Sequence, residues 1–257
     1  MILLPILLLI ASASWLAWFF VKSDRGEREP AGALWAVLSF GLLGAVAASL
    51  LESWFIPSRY VSIEHPAPMS VGLLLAAMGI GLIEELSKFL PAAWFVYRKR
   101  YFNEHTDGII YFALAGLGFG LPENILYTLQ FGAGTGFIRA VLTPFFHAAT
   151  TGLVGYYLVQ VKLDQKPKML AVWALVGAAL LHGLYDFGLL SRKPLLMVLS
   201  LVITFGVTGS LFVLYRHATR SDQRVGLSVV GNNSFCRSCG FPNPKRKLYC
   251  QRCGKHA

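Results

Sequence analysis

The sequence has 257 residues, of which 55% are hydrophobic and only 14% charged, and its mean hydropathy is +0.57. That balance excludes an ordinary soluble globular domain. A formal net charge of +10 could suggest a nucleic-acid partner, but much of it lies in short loops beside apolar runs and in the tail, so membrane topology accounts for it better.

Windows of roughly 20 apolar residues predict an all-α polytopic membrane protein of about seven transmembrane helices, near 2–21, 32–56, 70–97, 108–131, 137–161, 169–190 and 194–216. The odd-numbered loops between them carry nine Lys and Arg residues and the even-numbered loops four, Arg59, Arg139 (counted with the fourth loop at the edge of the fifth window), Arg192 and Lys193, which predicts an outside N-terminus and a cytoplasmic C-terminus. Ala11-Ser12-Ala13 could pass for a signal-peptide cleavage site. No basic residue precedes the apolar run and the basic cluster follows it, so a retained first helix is expected.

The first predicted helix carries no ionisable residue in its interior, and the second carries only Glu52 near its outer end, where a carboxylate can reach the interface. The third is different. Ile83-Glu84-Glu85-Leu86-Ser87-Lys88 puts three charges near the middle of a span, each costing about 2.5–3.5 kcal/mol to insert. Lys88 follows Glu84 by four residues and Glu85 by three, so it lies one turn below both and can neutralise one while the other stays available.

The fourth helix contributes Glu123, the fifth His147, and the sixth His182 with Asp186 one turn on. With the alternating topology imposed, these acids and imidazoles fall at one level of the bilayer, which predicts a shared wet cavity inside the bundle. Asp186 can fix the tautomer of His182. Pro91, Pro122 and Pro144 accompany the charges and are expected to kink their helices, while Gly116, Gly118 and Gly120 would let the fourth helix approach a neighbour closely.

Imidazoles and carboxylates in this number can hold a metal with an open position, or activate water without one; either route hydrolyses an amide within the bilayer. The sequence contains no H-E-x-x-H, G-x-G-D, G-x-S-x-G or Walker loop. A proton-coupled transporter built on the same midplane charges is the alternative reading, and a catalytically idle receptor a third.

After the last span, residues 217–234 read as a polar linker and 235–257 as a separate module. Phe235-Cys236-Arg237-Ser238-Cys239-Gly240 and Tyr249-Cys250-Gln251-Arg252-Cys253-Gly254 are two C-x-x-C-G knuckles that hold all four cysteines of the chain. Four thiolates suit a structural zinc ribbon with no open position, and a segment this short needs such a staple to fold. A ribbon of this kind is expected to dock a cytosolic protein partner; nucleic-acid binding by its basic residues is not favoured.

Across residues 79–190 the order and spacing of Glu84-Glu85-x-x-Lys88, Asp107-Gly108-Ile109-Ile110-Tyr111, Gly118-Phe119-Gly120-Leu121-Pro122-Glu123-Asn124, Arg139, His147 and His182-Gly183-Leu184-Tyr185-Asp186 resemble the PrsW-type intramembrane metalloproteases. That family is distantly related to the CAAX prenyl endopeptidases. Lys88 stands one residue earlier than their arginine, and Glu123 stands where their F-x-x-x-H motif has its histidine, so a prenylated substrate is not implied. The resemblance implies a core at about 70–190 within a bundle of residues 1–216, in a bacterial cytoplasmic membrane. It implies cleavage of membrane-anchored regulatory proteins within the lipid bilayer, releasing a signal. It further implies Glu84 or Glu85 as the water-activating base with the other and Lys88 tuning it, and Glu123, His147 and His182 as ligands of Zn²⁺ or another divalent metal. Asp186 would stand behind a ligand or donate to the transition state, and Asn124 and Arg139 would orient substrate.

Overall fold

The computed structural model describes residues 2–24, 26–61, 67–225, 233–235, 242–244 and 252. Apolar, helix-forming runs dominate, and backbone groups in hydrocarbon must be satisfied within the segment, so the described chain is almost wholly helical. Its helices are α1 (Leu3–Ser23), α2 (Ala31–Phe55), α3 (Val71–Val96), α4 (His105–Leu163), α5 (Met169–Leu190) and α6 (Pro194–Val225), with a 3-10 turn at Ser58–Tyr60. Two three-residue strands, β1 (Asn233–Phe235) and β2 (Pro242–Pro244), pair antiparallel beyond α6. Cys236, Cys239, Cys250 and Cys253, and with them the expected zinc ribbon, lie outside the described residues.

Local chemistry sets the helix starts. The Ser70 hydroxyl accepts from Leu73 N at 3.2 Å and caps α3. Asp107 Oδ2 reaches back to the backbone N–H groups of Asn103 and Glu104, both at 2.7 Å, and so closes a capping box at the start of α4. Pro194 opens α6, where its missing N–H leaves no bond unmade.

The 59 residues of α4, if straight, would extend roughly 90 Å, about three times the hydrocarbon thickness of a bilayer. They do not run straight. Gly132 adopts φ 85° and ψ 178°, the one non-helical conformation inside the element, and a left-handed φ of this kind suits a residue without a Cβ. The limbs on either side, 105–131 and 133–163, fold back against each other. Gly108 meets the carbonyl of Gly155, Gly116 that of His147, and Asn124 bonds Arg139, so the numbering rises on one limb as it falls on the other. A Cβ at Gly116 would overlap the His147 carbonyl, which is the close approach expected of this glycine.

The hairpin accounts for two of the expected spans, with a single residue in place of the expected connecting loop. The helices continue through Pro91, Pro122 and Pro144, and the reversal of α4 falls at Gly132. One expectation is corrected: Arg139, counted among the loop charges, is helical and 8% exposed.

The first limb of α4 is the axis of the bundle. Residues 105–120 are buried without interruption, and α4 contacts α1, α2, α3, α5 and α6. Large apolar side chains such as Trp18, Leu43 and Val202 face outward from α1, α2 and α6, as they do where the outer surface meets lipid. Five of the helices are long and apolar enough to cross a membrane, and the remaining one, α3, carries the three charges.

Candidate active site

The site is built around Lys88. Helical spacing on α3 carries its ammonium back over the two preceding glutamates, and Nζ donates to Glu84 Oε2 at 3.2 Å and to Glu85 Oε1 at 3.0 Å. The same nitrogen lies 3.0 Å from His147 Nδ1 on the second limb of α4 and 3.4 Å from His182 Nδ1 on α5. Its side chain is completely buried, with the ring of Phe119 at 4.3 Å. An ammonium removed from water to this degree is tolerated because carboxylates and ring nitrogens surround it.

The backbone makes these contacts attainable. A Cβ on Gly81 of α3 would lie 2.5 Å from Gly183 N of α5, so the two helices approach closely one turn from the functional side chains. Glu85 then holds His182 Nδ1 at 2.8 Å, and it also accepts from Thr150 at 2.9 Å and Thr151 at 3.3 Å. This carboxylate is fully engaged and fully buried. Holding Nδ1 in this way leaves His182 Nε2 directed at Glu84 Oε2, 3.3 Å away, with Asp186 Oδ2 at 3.7 Å. Asp186 Oδ2 has no hydrogen-bond partner among the described residues.

On the other side of Lys88, His147 Nε2 lies 2.9 Å from Glu123 Oε2. The Arg139 guanidinium donates to Glu123 Oε1 at 2.5 Å and to Asn124 Oδ1 at 2.6 Å, and stacks 3.9 Å over the Tyr127 ring. Every site residue singled out in the sequence outside the tail therefore meets the same constellation. Arg139 and Asn124 are bonded to each other and to the helix rather than left open.

Three of these residues, Glu84, His147 and His182, each offer one ligand atom, and the three atoms lie within 4.8 Å of one another in the buried interior. One carboxylate and two imidazoles fit a zinc-like divalent ion with coordination left open for water or substrate. Glu123, expected as a ligand, is not in this group of three and stands against His147 from the Arg139 side. The outer edge of the constellation is formed by Glu123 and Asp186, whose side chains remain 19% and 18% exposed, whereas Lys88 and Glu85 are sealed.

Glu52, read from the sequence as an interfacial residue, turns inward. It is half-buried, its Oε1 is shielded without a hydrogen-bond partner among the described residues, and it lies within electrostatic reach of Glu84, Glu123, Lys88 and Asp186. Its proximity to a span end suggested the interface; depth alone does not reveal which way a side chain faces.

A second buried polar cluster, which sequence reasoning missed, sits where α4 begins. Asp222 of α6 accepts from His105 N at 2.8 Å, Thr106 N at 3.0 Å and Thr106 Oγ1 at 3.1 Å, and lies 2.7 Å from His105 Nδ1. Asp164 lies 3.1 Å from His105 Nε2. Beside it, burial pushes the Glu104 carboxyl up to about 9, even though Glu27 N–H donates to it. Burial likewise raises Glu29 to about 7, against its bonds with Asp107 and Tyr111. No spacing signal links Asp222 to a partner 117 residues away.

Residues 29–214 match the family described as PrsW family intramembrane metalloprotease. Protease PrsW of Geobacillus kaustophilus is 32% identical over 179 residues, 69% of this chain and 76% of that protein. Protease PrsW of Bacillus subtilis is 34% identical over 175 residues, 67% of this chain and 76% of that protein, and Protease PrsW of Clostridioides difficile is 29% identical over 195 residues, 72% and 79%. No solved structure matches the chain. With three buried metal-type ligands at the centre of a bundle of apolar helices and a family match over more than half its length, the chain belongs to the PrsW family of intramembrane metalloproteases.

Proposed function

We propose that the protein hydrolyses peptide bonds of membrane-anchored proteins at the α3–α4–α5 constellation, as regulated proteolysis of a signalling protein in a bacterial cytoplasmic membrane. The observation that carries this reading is the convergence of Glu84, His147 and His182 from three helical segments around one buried point. In this assignment those three residues hold a divalent metal, zinc being the best fit to the donor set. The bound ion would polarise the scissile carbonyl as a Lewis acid.

The chain's own residues do the rest. Glu85 fixes the proton on His182 Nδ1 and so presents Nε2. Lys88 balances Glu84 and Glu85 and sets the spacing of both imidazoles. Asp186 is the proton acceptor for the attacking water, because its buried Oδ2 has no hydrogen-bond partner among the described residues and lies 3.7 Å from His182 Nε2. Arg139 and Asn124 position Glu123, whose partly exposed carboxylate faces the substrate peptide. Seven spans, with the N-terminus outside, agree with the α4 hairpin and the distribution of Lys and Arg. The cysteine knuckles form a cytosolic zinc ribbon that docks a protein partner.

One observation favours a second route to the same hydrolysis. Lys88 already supplies a positive charge at the centre of the carboxylates, so Glu84 with His182 could activate water without a metal. The transporter reading is not favoured by the family match.

The test compares purified wild-type protein with Glu84→Gln, Glu85→Gln and His182→Ala variants against a panel of single-span membrane proteins in lipid nanodiscs. Cleavage of at least one panel member by the wild type, lost in all three variants, is the expected result; equal cleavage by all four would overturn the assignment. Chelation followed by metal return separates the two routes.

A further inference from the structure

In the run His182-Gly183-Leu184-Tyr185-Asp186 the histidine and the aspartate have parts in the proposed reaction, and the tyrosine has none. Tyr185 is 7% exposed and lies one turn of α5 beyond His182. Its ring stacks on Phe146 with centroids 4.2 Å apart and meets His182 edge-on at 6.2 Å. Phe146 in turn meets His182 at 5.0 Å and His147 at 5.7 Å, so the phenol ring is packed into one group with both imidazoles. The Tyr185 carbonyl accepts from Ser200 of α6 at 2.7 Å, which ties the backbone beneath it. A ring wedged in this way holds its hydroxyl in one place. The charged groups that act most strongly on that hydroxyl are Arg139, Asp186, Glu123 and Glu84. Glu123 and Asp186 form the outer edge of the constellation, with side chains 19% and 18% exposed. The hydroxyl therefore lies toward the edge that a substrate carbonyl would reach first.

Hydrolysis of an amide puts negative charge on the carbonyl oxygen, and that charge needs a donor. The other donors of the site are committed. Lys88 is sealed against Glu84 and Glu85, Arg139 is bonded to Glu123 and Asn124, and the hydroxyls of Thr150 and Thr151 donate to Glu85. None of these bonds uses the Tyr185 hydroxyl. Tyr127 shares its electrostatic neighbours, but that ring is 36% exposed and stacks on Phe131 at 5.4 Å rather than on the imidazoles. We propose that the Tyr185 hydroxyl donates a hydrogen bond to the carbonyl oxygen of the scissile peptide as it becomes an oxyanion. The inference rests on reading the constellation as the proteolytic centre. In the step it assists, the water oxygen bonds to the carbonyl carbon, the C=O π pair moves onto the carbonyl oxygen, and the water's proton passes to Asp186. Tyr185 keeps its own proton throughout. When the C–N bond breaks, the carbonyl re-forms and the departing nitrogen takes the proton from Asp186. The Arg139 guanidinium favours negative charge at the same place while keeping its bond to Glu123. Such a donor acts on the transition state more than on the bound substrate, so it raises kcat and leaves KM nearly unchanged.

The test uses the full chain in nanodiscs and a single-span panel member that the wild type cleaves. Tyr185→Phe keeps the ring and its packing and removes only the donor. It should lower kcat by about a hundredfold or more, with KM within about twofold of wild type. Its melting temperature should be unchanged. Replacing Tyr185 by p-aminophenylalanine returns a donor to the same end of the ring and should recover about tenfold of the loss. Tyr127→Phe should cost less than about threefold. As a readout independent of turnover, a phosphinate analogue of the cleaved sequence should lose affinity for Tyr185→Phe by the factor lost in kcat/KM. Cleavage by Tyr185→Phe at the wild-type rate, a loss carried by KM alone, no recovery with p-aminophenylalanine, or a larger loss in Tyr127→Phe would overturn the proposal and leave the proteolytic reading standing. A wild type that cleaves no panel member would reject the proteolytic reading, and this role with it.

Discussion

Two buried polar clusters sit in this bundle, and they are held in different ways. At the centre, carboxylates on α3 and α4 are answered by side-chain cations and imidazoles: Lys88 bridges Glu84, Glu85 and His147, and Arg139 clamps Glu123. At the start of α4, carboxylates are answered chiefly by main-chain N–H groups: Asp107 holds Asn103 and Glu104, and Asp222 holds His105 and Thr106. The second arrangement satisfies helix-end donors that would otherwise go unpaired in a dry interior. The first satisfies no helix-end donor, leaves Asp186 Oδ2 without a hydrogen-bond partner among the described residues, and brings three ligand atoms together. The second cluster serves the architecture; the first is the one to which the proposed function assigns chemistry.

The sharpest separation between them is functional. His182→Ala should lower cleavage by roughly a thousandfold or more while the bundle stays folded, whereas Asp222→Ala should leave the rate constant essentially unchanged below its unfolding temperature. Comparable losses of activity in both variants, measured as initial cleavage rates, would erase the distinction.

Lys88→Met comes next. It leaves two buried glutamates without their shared cation and should destabilise the protein by about 3–5 kcal/mol, read from thermal or denaturant unfolding in micelles. Adding Glu85→Gln to that variant should restore part of the loss, because the two changes act on one network. Strict additivity would contradict a cation-centred site.

The Asp222 cap is worth less. Its loss should remove about 1–2 kcal/mol and raise hydrogen exchange at His105 and Thr106 ahead of the rest of α4. Uniform exchange along α4 would break the assignment of a local cap.

A pH slope distinguishes the second cluster further. The folded Glu104 carboxyl titrates near 9 and Glu29 near 7, both above the ordinary value of 4.5, because burial favours the protonated form. The folded state therefore binds more protons than the unfolded chain. The stability these groups contribute is complete below about 4.5; it falls as pH rises, levelling off for Glu29 near 7 and for Glu104 near 9. Glu104→Gln should flatten the melting temperature between pH 7 and 9, and an unchanged slope would show that other groups carry it.

The two clusters also differ in how far the sequence reveals them. Glu84, Glu85 and Lys88 are one helical turn apart, as are His182 and Asp186, so local periodicity alone assigns them to shared faces. The apolar windows overlap each α-helix among the described residues, and the gap between the fourth and fifth windows contains Gly132. What local pattern cannot carry is long-range partnership. Arg139 looked like a loop charge because a single-residue turn at Gly132 has no propensity signal to separate it from a longer one. Glu52 needed the rotation of α2 about its axis, which a helix apolar on nearly all sides does not encode. Asp222 and His105 meet only because α6 returns to the start of α4. The preference for Glu84 over Glu123 in the ligand group likewise depends on the close α3–α5 approach at Gly81 and Gly183, invisible in either helix alone.

The proposed function requires that Glu84, His147 and His182 together bind a divalent metal inside the membrane. The direct measurement is metal content per chain of the purified full-length protein beside the Glu84→Gln/His182→Ala double variant, with both carrying the same cysteine tail. One ion fewer in the double variant and restored cleavage when zinc is returned to chelated wild type are expected. Equal metal content in the two proteins, with cleavage nonetheless abolished in the variant, would contradict it.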